Sequence, residues 1–235
     1  MSVQYDFRDT VYIVTGVCGA LGSAVAERFS DAGATVAGID IIEPSDEDAL
    51  IDPGVIEYYQ ADLTAEQTVS DVVDKIGTDI GQINGLCNIA GTWKGGQPIE
   101  KTAVSEFELL VDINLKSMFL MSKHTLPYLK EQNGTIVSVS AKSSLEGGEG
   151  DGPYRAAKAG VRILTETIAT ENVGSVRANA ILPSVIDTPM NREMMPDADH
   201  DSWVDPDDIA SVILFLCSDA SSVTSGASVP VYGES

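Results

Sequence analysis

Thr15-Gly16-Val17-Cys18-Gly19-Ala20-Leu21-Gly22 is the stretch whose reading decides the fold. The apolar run Val11-Tyr12-Ile13-Val14 leads into it, and Ser23 to Phe29, with helical periodicity, leads out toward Gly33. Strand, glycine-rich turn and helix in that order make an anion cradle. Glycines let the backbone approach a pyrophosphate, and the helix N-terminus turns free N–H groups and a positive dipole end toward it. Gly16, Cys18, Ala20, Leu21 and Gly22 are the candidate contacts. Cys18 reads as a small filler of the turn, since a nucleophilic thiolate needs a partner base not evident here. A plain βα turn uses the same glycines, and context separates the two. A second strand-like run, Thr35-Val36-Ala37-Gly38-Ile39, ends in Asp40. That is where an acid meets the adenosine ribose of a dinucleotide. A carboxylate there accepts from a 2′-hydroxyl and repels a 2′-phosphate, so the expected cofactor is NAD rather than NADP.

The alternation continues to the end of the chain. Val55 to Tyr59 reads as a third strand, followed by a helix from Ala65 to Ile76, and Ile83 to Ile89 reads as a fourth. Val104 to Leu129 reads as one long helical region, Gly134 to Val139 as a fifth strand, and Tyr154 to Glu171 as a helix. Val176 to Leu182, Asp205 to Ser218 and Ala227 to Tyr232 close the pattern as strand, helix and strand. Repeated βα units imply an α/β fold, a Rossmann-type doubly wound parallel sheet with helices on both faces. No linker or repeat divides residues 1–235, so a single domain is expected. Loops 141–153 and 183–204 both follow strands, and such loops border the ligand in these sheets.

Composition bounds the function. Fourteen basic against 36 acidic residues give a formal net charge of −22. Such a surface repels nucleic acid and anionic membranes. Salt would screen the self-repulsion, which favours adaptation to high salt over an ordinary acidic protein. No apolar run is long enough to span a bilayer. The start, Met1-Ser2-Val3-Gln4-Tyr5-Asp6, lacks the basic and apolar regions of a signal peptide. Cys18, Cys87 and Cys217 are widely spaced, and His124 and His200 are the only histidines. Neither a disulfide framework nor a metal site is expected, and a cytoplasmic location fits.

Tyr154 and Lys158, in Pro153-Tyr154-Arg155-Ala156-Ala157-Lys158, fall one helical turn apart on one face. An ammonium near a phenol is expected to lower its pKa toward a working acid/base range. Taken together, the Thr15–Gly22 turn, Asp40, Asp62-Leu63, Asn88-Ile89-Ala90-Gly91, Asn114, Tyr154/Lys158 and Pro183–Thr188 resemble the short-chain dehydrogenase/reductase family over nearly the whole length. Within it, three segments are similar to the dihydropteridine reductases: Leu86–Gly96, Ala141–Gly147 and Leu182–Arg192, the last continuing to Trp203.

The resemblance implies that Tyr154 and Lys158 are catalytic, with Lys158 also bonding the nicotinamide ribose, and that Asn114 holds a relay water behind it. It implies that Asp62 with Leu63 meets adenine, that Asn88, Ala90 and Gly91 support the cofactor, and that Pro183, Ile186 and Thr188 border it. For Asp62 a helix cap is an equal reading, and for Asn114 a satisfied buried amide is another. The resemblance also implies a homo-dimer or homo-tetramer, with Leu109, Leu120, Ile163 and Ile168 as candidate surface.

Two departures stand out. Ala20 replaces the family's second loop glycine, and Ala141 stands thirteen positions before the tyrosine, where the family places a catalytic serine. Alanine at that place is shared with the dihydropteridine reductases. A carbonyl reductase uses the serine to polarise C=O, whereas a quinonoid ring is already electrophilic. Trp93, beside Gly95-Gly96, can stack on a flat heteroaromatic substrate or pack the rim. Ala141, Ser143 and Trp93 are thus the candidate substrate contacts. The expected activity is hydride transfer between NAD(H) and a small organic substrate, for which a quinonoid dihydropteridine is one form. A general ketone or alcohol dehydrogenase using Ser140 or Ser143 is the alternative, and a non-catalytic nucleotide-binding regulator a second.

Overall fold

The computed structural model of the protein describes residues 5–234. Strand β1 (Val11–Thr15) is buried along its length, and the glycine turn after it opens into helix α1 (Ala20–Asp31). Strand β2 (Thr35–Asp40) follows, and a turn at Pro53–Val55 replaces the start expected for the third strand. Proline fixes φ for that turn, and Asp52 accepts from Gly54 N–H at 2.8 Å. Strand β3 is therefore only Glu57–Gln60. Helix α2 (Glu66–Ile80), strand β4 (Gly85–Asn88) and helix α3 (Val104–Val111) come next. The long helical region expected from Val104 is interrupted by a π-helical segment, Asp112–Lys116, and resumes as α4 (Ser117–Gln132), which runs through Pro127. Strand β5 (Thr135–Val139), helix α5 (Gly152–Glu171) and strand β6 (Arg177–Pro183) lead to a short α6 (Pro189–Met194) that periodicity did not reveal. Helix α7 (Pro206–Cys217) and strand β7 (Ser228–Val231) end the chain.

All seven strands pair in parallel, in the order β3-β2-β1-β4-β5-β6-β7. The central strands, buried on both faces, alternate between two cores. Tyr12, Val14, Val36 and Ile181 pack with Val25 and Phe29 of α1 and Ile209 and Ile213 of α7. Ile13, Ile39, Leu86 and Ile136 face the other way, onto Val73 and Ile76 of α2, Met121 of α4 and Val161 of α5. Leu120 and Ile168 belong to this second core, which corrects their expected place on a docking surface; Leu109 and Ile163 are exposed. Helices sit on both faces because each buries one apolar stripe.

The strand order reverses direction between β1 and β4. A ligand crevice opens at that point, outside the carboxyl ends of the strands. The glycine turn after β1 and the segment after β4 flank it.

Candidate active site

The floor of the crevice is a set of backbone contacts. Thr15 Oγ1 accepts from the N–H groups of Ile89 and Ala90, at 3.0 and 3.1 Å, and so ties the ends of β1 and β4 together. Gly16 has φ +67°, and a Cβ on it would lie 2.9 Å from Ala90 Cα; one on Gly22 would lie 2.0 Å from Gly16 O. Both positions are glycine because the protein's own backbone closes on them. Gly19 differs: its φ is −83° and a Cβ would meet only Gly16 O, at 3.5 Å. Nothing inside the described residues demands glycine there. It stands exposed at the N-cap of α1, with no side chain over the first-turn N–H groups, which have no intrahelical partner. That bare helix end suits a pyrophosphate approaching from outside.

Gly19 was not among the contacts expected from sequence, although it lies within the decisive stretch. Its signal was the spacing: with Ala20 already inside the helix, the exposed cap falls one residue earlier. Leu21 is a core residue, able to offer only its backbone. The Cys18 N–H is committed to Asp40 Oδ2 at 3.0 Å, and its thiol faces Ile42 O at 3.5 Å. Burial, with the Asp40 and Asp46 carboxylates, pushes that thiol up to about 12. Cys18 is thus buried in the turn and tied to Asp40 through its backbone N–H.

Asp40 ends β2 half-buried. Its Oδ1 accepts from Ile41 N–H at 2.7 Å, and its carbonyl accepts from the Tyr58 hydroxyl at 3.2 Å. The carboxylate is therefore fixed at the mouth of the turn. Asp62 is exposed, and its Oδ1 accepts from the Thr64 N–H and hydroxyl at 2.9 and 2.7 Å. The Thr64 bonds hold its carboxyl below the usual range. This is an Asx turn ahead of α2, whose N-cap residue is Ala65; Leu63 is buried. Asn88 is buried, donating to Ser122 Oγ and Ser138 Oγ at 3.3 and 3.2 Å, while its Oδ1 has no partner.

The catalytic candidates converge beyond Ala90. Asn114, 1% exposed, lies in the π segment. Such segments recur at functional sites because the extra residue re-aims a side chain. Its Oδ1 accepts from Thr92 N–H at 3.1 Å, and its Nδ2 donates to Thr92 O and Leu110 O, each at 2.9 Å. The amide is thus a clamp on Thr92, the satisfied-polar reading of that residue. Gly91 fits between it and Lys158: a Cβ there would lie 2.8 Å from Asn114 Oδ1 and 3.0 Å from Lys158 Nζ.

Lys158 is 4% exposed, and its ammonium donates to Val139 O at 2.9 Å. Burial lowers it to about 8. Its Nζ is 5.9 Å from the Tyr154 ring centroid. Here the structure corrects the sequence reading. Burial, then the Asp151 carboxylate, pushes Tyr154 up to about 12. The ammonium is aimed at a carbonyl rather than the phenol, so desolvation prevails over its attraction.

Ala141 is buried two residues past the end of β5, at the start of the 142–145 turn. Ser140 Oγ donates to Lys158 O at 2.8 Å and lies 3.1 Å from Ser144 Oγ. Its proton is therefore spent on the α5 backbone, which removes one of the two expected stand-ins. Ser143 is half-buried. Trp93 is 48% exposed at the rim, over Gly95. Pro183 pairs with Val231 at the end of β6, Ile186 O accepts from Asn191 Nδ2 at 2.8 Å, and Thr188 Oγ1 caps α6 by accepting from Asn191 N–H at 3.1 Å. Trp203 packs on His200, with ring centroids 4.4 Å apart, within the 183–204 loop.

A protein-family profile described as enoyl-(acyl carrier protein) reductase matches residues 16–233. The chain is 32% identical to a 3-oxoacyl-[acyl-carrier-protein] reductase of Thermotoga maritima, over 95% of this chain and 96% of that protein. The chain belongs to the short-chain dehydrogenase/reductase family. Other members are similar over comparable lengths. A meso-2,3-butanediol dehydrogenase of Serratia marcescens is 29% identical, covering 97% of this chain and 94% of its own. The solved aldohexose dehydrogenase of Thermoplasma acidophilum superposes with a TM-score of 0.86 at 29% identity, covering 97% and 94% of the two chains. As a short-chain dehydrogenase/reductase the protein is an oxidoreductase that uses a nicotinamide cofactor and acts on a small molecule. Among the described residues, no helix is long and apolar enough to cross a membrane, and no cluster of three or more His, Cys, Asp or Glu side chains is arranged to hold a metal ion.

Proposed function

We propose that the protein is an NAD(H)-dependent reductase of flat, conjugated acceptors, of which a quinonoid dihydropteridine is the pattern, with Tyr154 as proton donor. The observation that carries this reading is the buried methyl of Ala141 beside an otherwise complete Tyr154, Lys158 and Asn114 set. A saturated ketone needs a second donor at its oxygen as the alkoxide develops; a ring that delocalises the incoming charge does not.

The residues fit a nicotinamide dinucleotide. The exposed Gly19 cap and the first turn of α1 would hold the pyrophosphate, Asp40 the adenosine ribose, Asp62 the adenine edge, and Lys158 the nicotinamide ribose, with Asn88, Ala90, Gly91, Pro183, Ile186 and Thr188 along the groove. When bound, the cofactor supplies hydride. Everything else falls to the chain. Tyr154, held near 12, keeps its proton through neutral pH and is poised as an acid, which suits reduction. Lys158 lies under Gly91, and Asn114 fixes the following Thr92 from both sides, so the groove wall beside Tyr154 is rigid. Trp93 offers an indole face at the rim for a flat substrate.

The second reading is a dehydrogenase of ketones or alcohols. Half-buried Ser143 favours it, as do the names of the Thermotoga and Serratia relatives. With the Tyr154–Lys158 set complete, a non-catalytic nucleotide sensor is the weaker alternative.

Cofactor choice rests on Asp40. Calorimetry at fixed salt is expected to give NADH the lower dissociation constant by at least about tenfold over NADPH. Asp40→Asn should narrow that gap while keeping an acceptor for the Cys18 N–H. A lower constant for NADPH in the wild-type protein would reverse the assignment.

The chain is read as a cytoplasmic homo-dimer or homo-tetramer adapted to salt. Val104, Phe107, Leu109, Phe119 and Ile163 expose apolar area on α3, α4 and α5, and the −22 charge repels itself at low ionic strength. In a series from low to molar KCl, light scattering should give a mass of two or four chains and Tm should climb. A monomer throughout, or a flat melting curve, contradicts the corresponding half of that reading.

A further inference from the structure

We propose that Tyr232 is a positioning residue for the substrate: with Lys142 it forms a strut across the end of β6 that holds the 142–145 turn to the stems of the 183–204 loop. The inference rests on the reading of Ala141 and Ser143, which flank Lys142, as substrate contacts. Lys142 Nζ stands 4.8 Å from the centroid of the Tyr232 ring, a cation–π contact. Lys142 follows β5 and Tyr232 follows β7, and β6 lies between those strands in the sheet. Neighbouring strands lie about 4.8 Å apart, so the two residues leave strands about 10 Å apart. A gap that wide takes a long side chain from each side, and a lysine and a tyrosine supply them.

The inner side of the turn is fixed by the backbone. Ser140 N–H donates to Ile181 O at 2.9 Å, Ser140 Oγ donates to Lys158 O at 2.8 Å, and Ser144 N–H donates to Ala141 O at 3.0 Å. The outer side carries the strut, where Lys142 is exposed and Tyr232 half-buried. The backbone around Tyr232 is in turn tied to both stems of the 183–204 loop. At the first stem, Val231 O accepts from Ser184 N–H at 3.1 Å, and Tyr232 O accepts from Ser184 Oγ at 2.9 Å. At the second, Gly233 packs on Val204, where a Cβ would lie 3.2 Å from Val204 Cγ2. The stems are clasped to each other: Val204 N–H donates to Val185 O and Asp187 N–H to Val204 O, each at 2.9 Å. Tyr232 thus stands on the clasped base of one loop and reaches the other. The two loops that border the crevice keep one separation while the strut holds. Losing it lets the turn drift from the loop, which weakens substrate binding. The glycine turn and Asp40 follow β1 and β2, on the other half of the sheet, so the cofactor depends on the strut far less.

The test compares Tyr232→Phe, Tyr232→Leu, Lys142→Met and the Lys142→Met/Tyr232→Leu double variant, each in the full chain. Steady-state rates use the best acceptor of a ketone and quinone panel. Amide exchange by mass spectrometry follows residues 142–145 and 200–204 with no acceptor present. Tyr232→Leu and Lys142→Met should each raise the acceptor KM about threefold to fivefold, the scale of one cation–π contact near solvent, with kcat within about twofold. Exchange in both segments should quicken by a similar factor. Tyr232→Phe keeps the ring and should match wild type in both readouts. The double variant should be no worse than either single one, because both remove the same contact. Unmoved exchange in the single variants overturns the strut. So does a double variant whose effects multiply, or Tyr232→Phe behaving as Tyr232→Leu. Quickened exchange with an unmoved KM instead refutes the reading of Ala141 and Ser143 as substrate contacts, and the positioning role falls with it, so the two failures are distinct.

Discussion

Tyr154→Phe is expected to lower kcat for ketone reduction by about a thousandfold, within the range a positioned general acid contributes, and to leave the NADH dissociation constant within about twofold. The substitution removes one hydroxyl from a half-buried ring and leaves the Lys158–Val139 bond, the Asn114 clamp and the glycine turn untouched. The loss should therefore appear in kcat and not in cofactor affinity. A quinonoid acceptor, able to take its proton from water, should lose much less. Steady-state rates with both acceptor types, alongside calorimetry of NADH, check the expectation. Unchanged ketone turnover would remove Tyr154 from the mechanism.

Lys158→Met should abolish turnover and yet stabilise the protein at neutral pH. The ammonium is buried, with one bond to Val139 O at 2.9 Å. Burial lowers its pKa from 10.5 to about 8, a difference worth roughly 3 kcal/mol at most. The sign runs as follows for a cation with a depressed folded pKa. Below about pH 8 both states are protonated, and the folded state carries the full desolvation cost. Between about 8 and 10.5 the unfolded chain still holds a proton that the folded chain has released, so wild-type stability rises with pH across that window. Met has similar volume and no charge, so Lys158→Met is expected to gain about 1–2 kcal/mol at pH 7, part of the cost being offset by the lost hydrogen bond. The gain should shrink toward pH 10.5. Tyr154, held near 12, destabilises the fold above about pH 10 in both proteins and cancels in the difference. Urea unfolding at pH 7 and pH 10 tests this; a variant less stable at pH 7 would show that the Val139 bond outweighs desolvation.

The parts of the fold that were legible in sequence share a physical cause. β1, β4, β5 and β6 are fully or almost fully buried, so their apolar runs are continuous and bounded by glycine or polar residues. The π segment at Asn114 was hidden because one extra residue per turn leaves local composition unchanged. Helix α6, six residues long, is set by the Thr188 cap and Pro189 rather than by periodicity. The places of Asp40 at the end of β2 and of Gly16 in the turn after β1 were legible from order along the chain. The Tyr154 environment was not: Tyr-x-x-x-Lys spacing announces a nearby cation, while burial and the Val139 carbonyl decide where that cation points. The spacing that marks Gly19 became usable only once the start of α1 at Ala20 was known.

The central claim is a reductase whose missing serine suits a conjugated acceptor. NADH consumption should be measured at neutral pH in molar KCl, with a quinonoid dihydropteridine and a saturated ketone side by side, for wild type and Ala141→Ser. The quinonoid acceptor should be reduced at least about tenfold faster than the ketone by wild type, and Ala141→Ser should raise only the ketone rate, by supplying a hydrogen bond to the developing alkoxide. A wild-type protein that prefers the ketone, and gains nothing from the serine, would contradict the account.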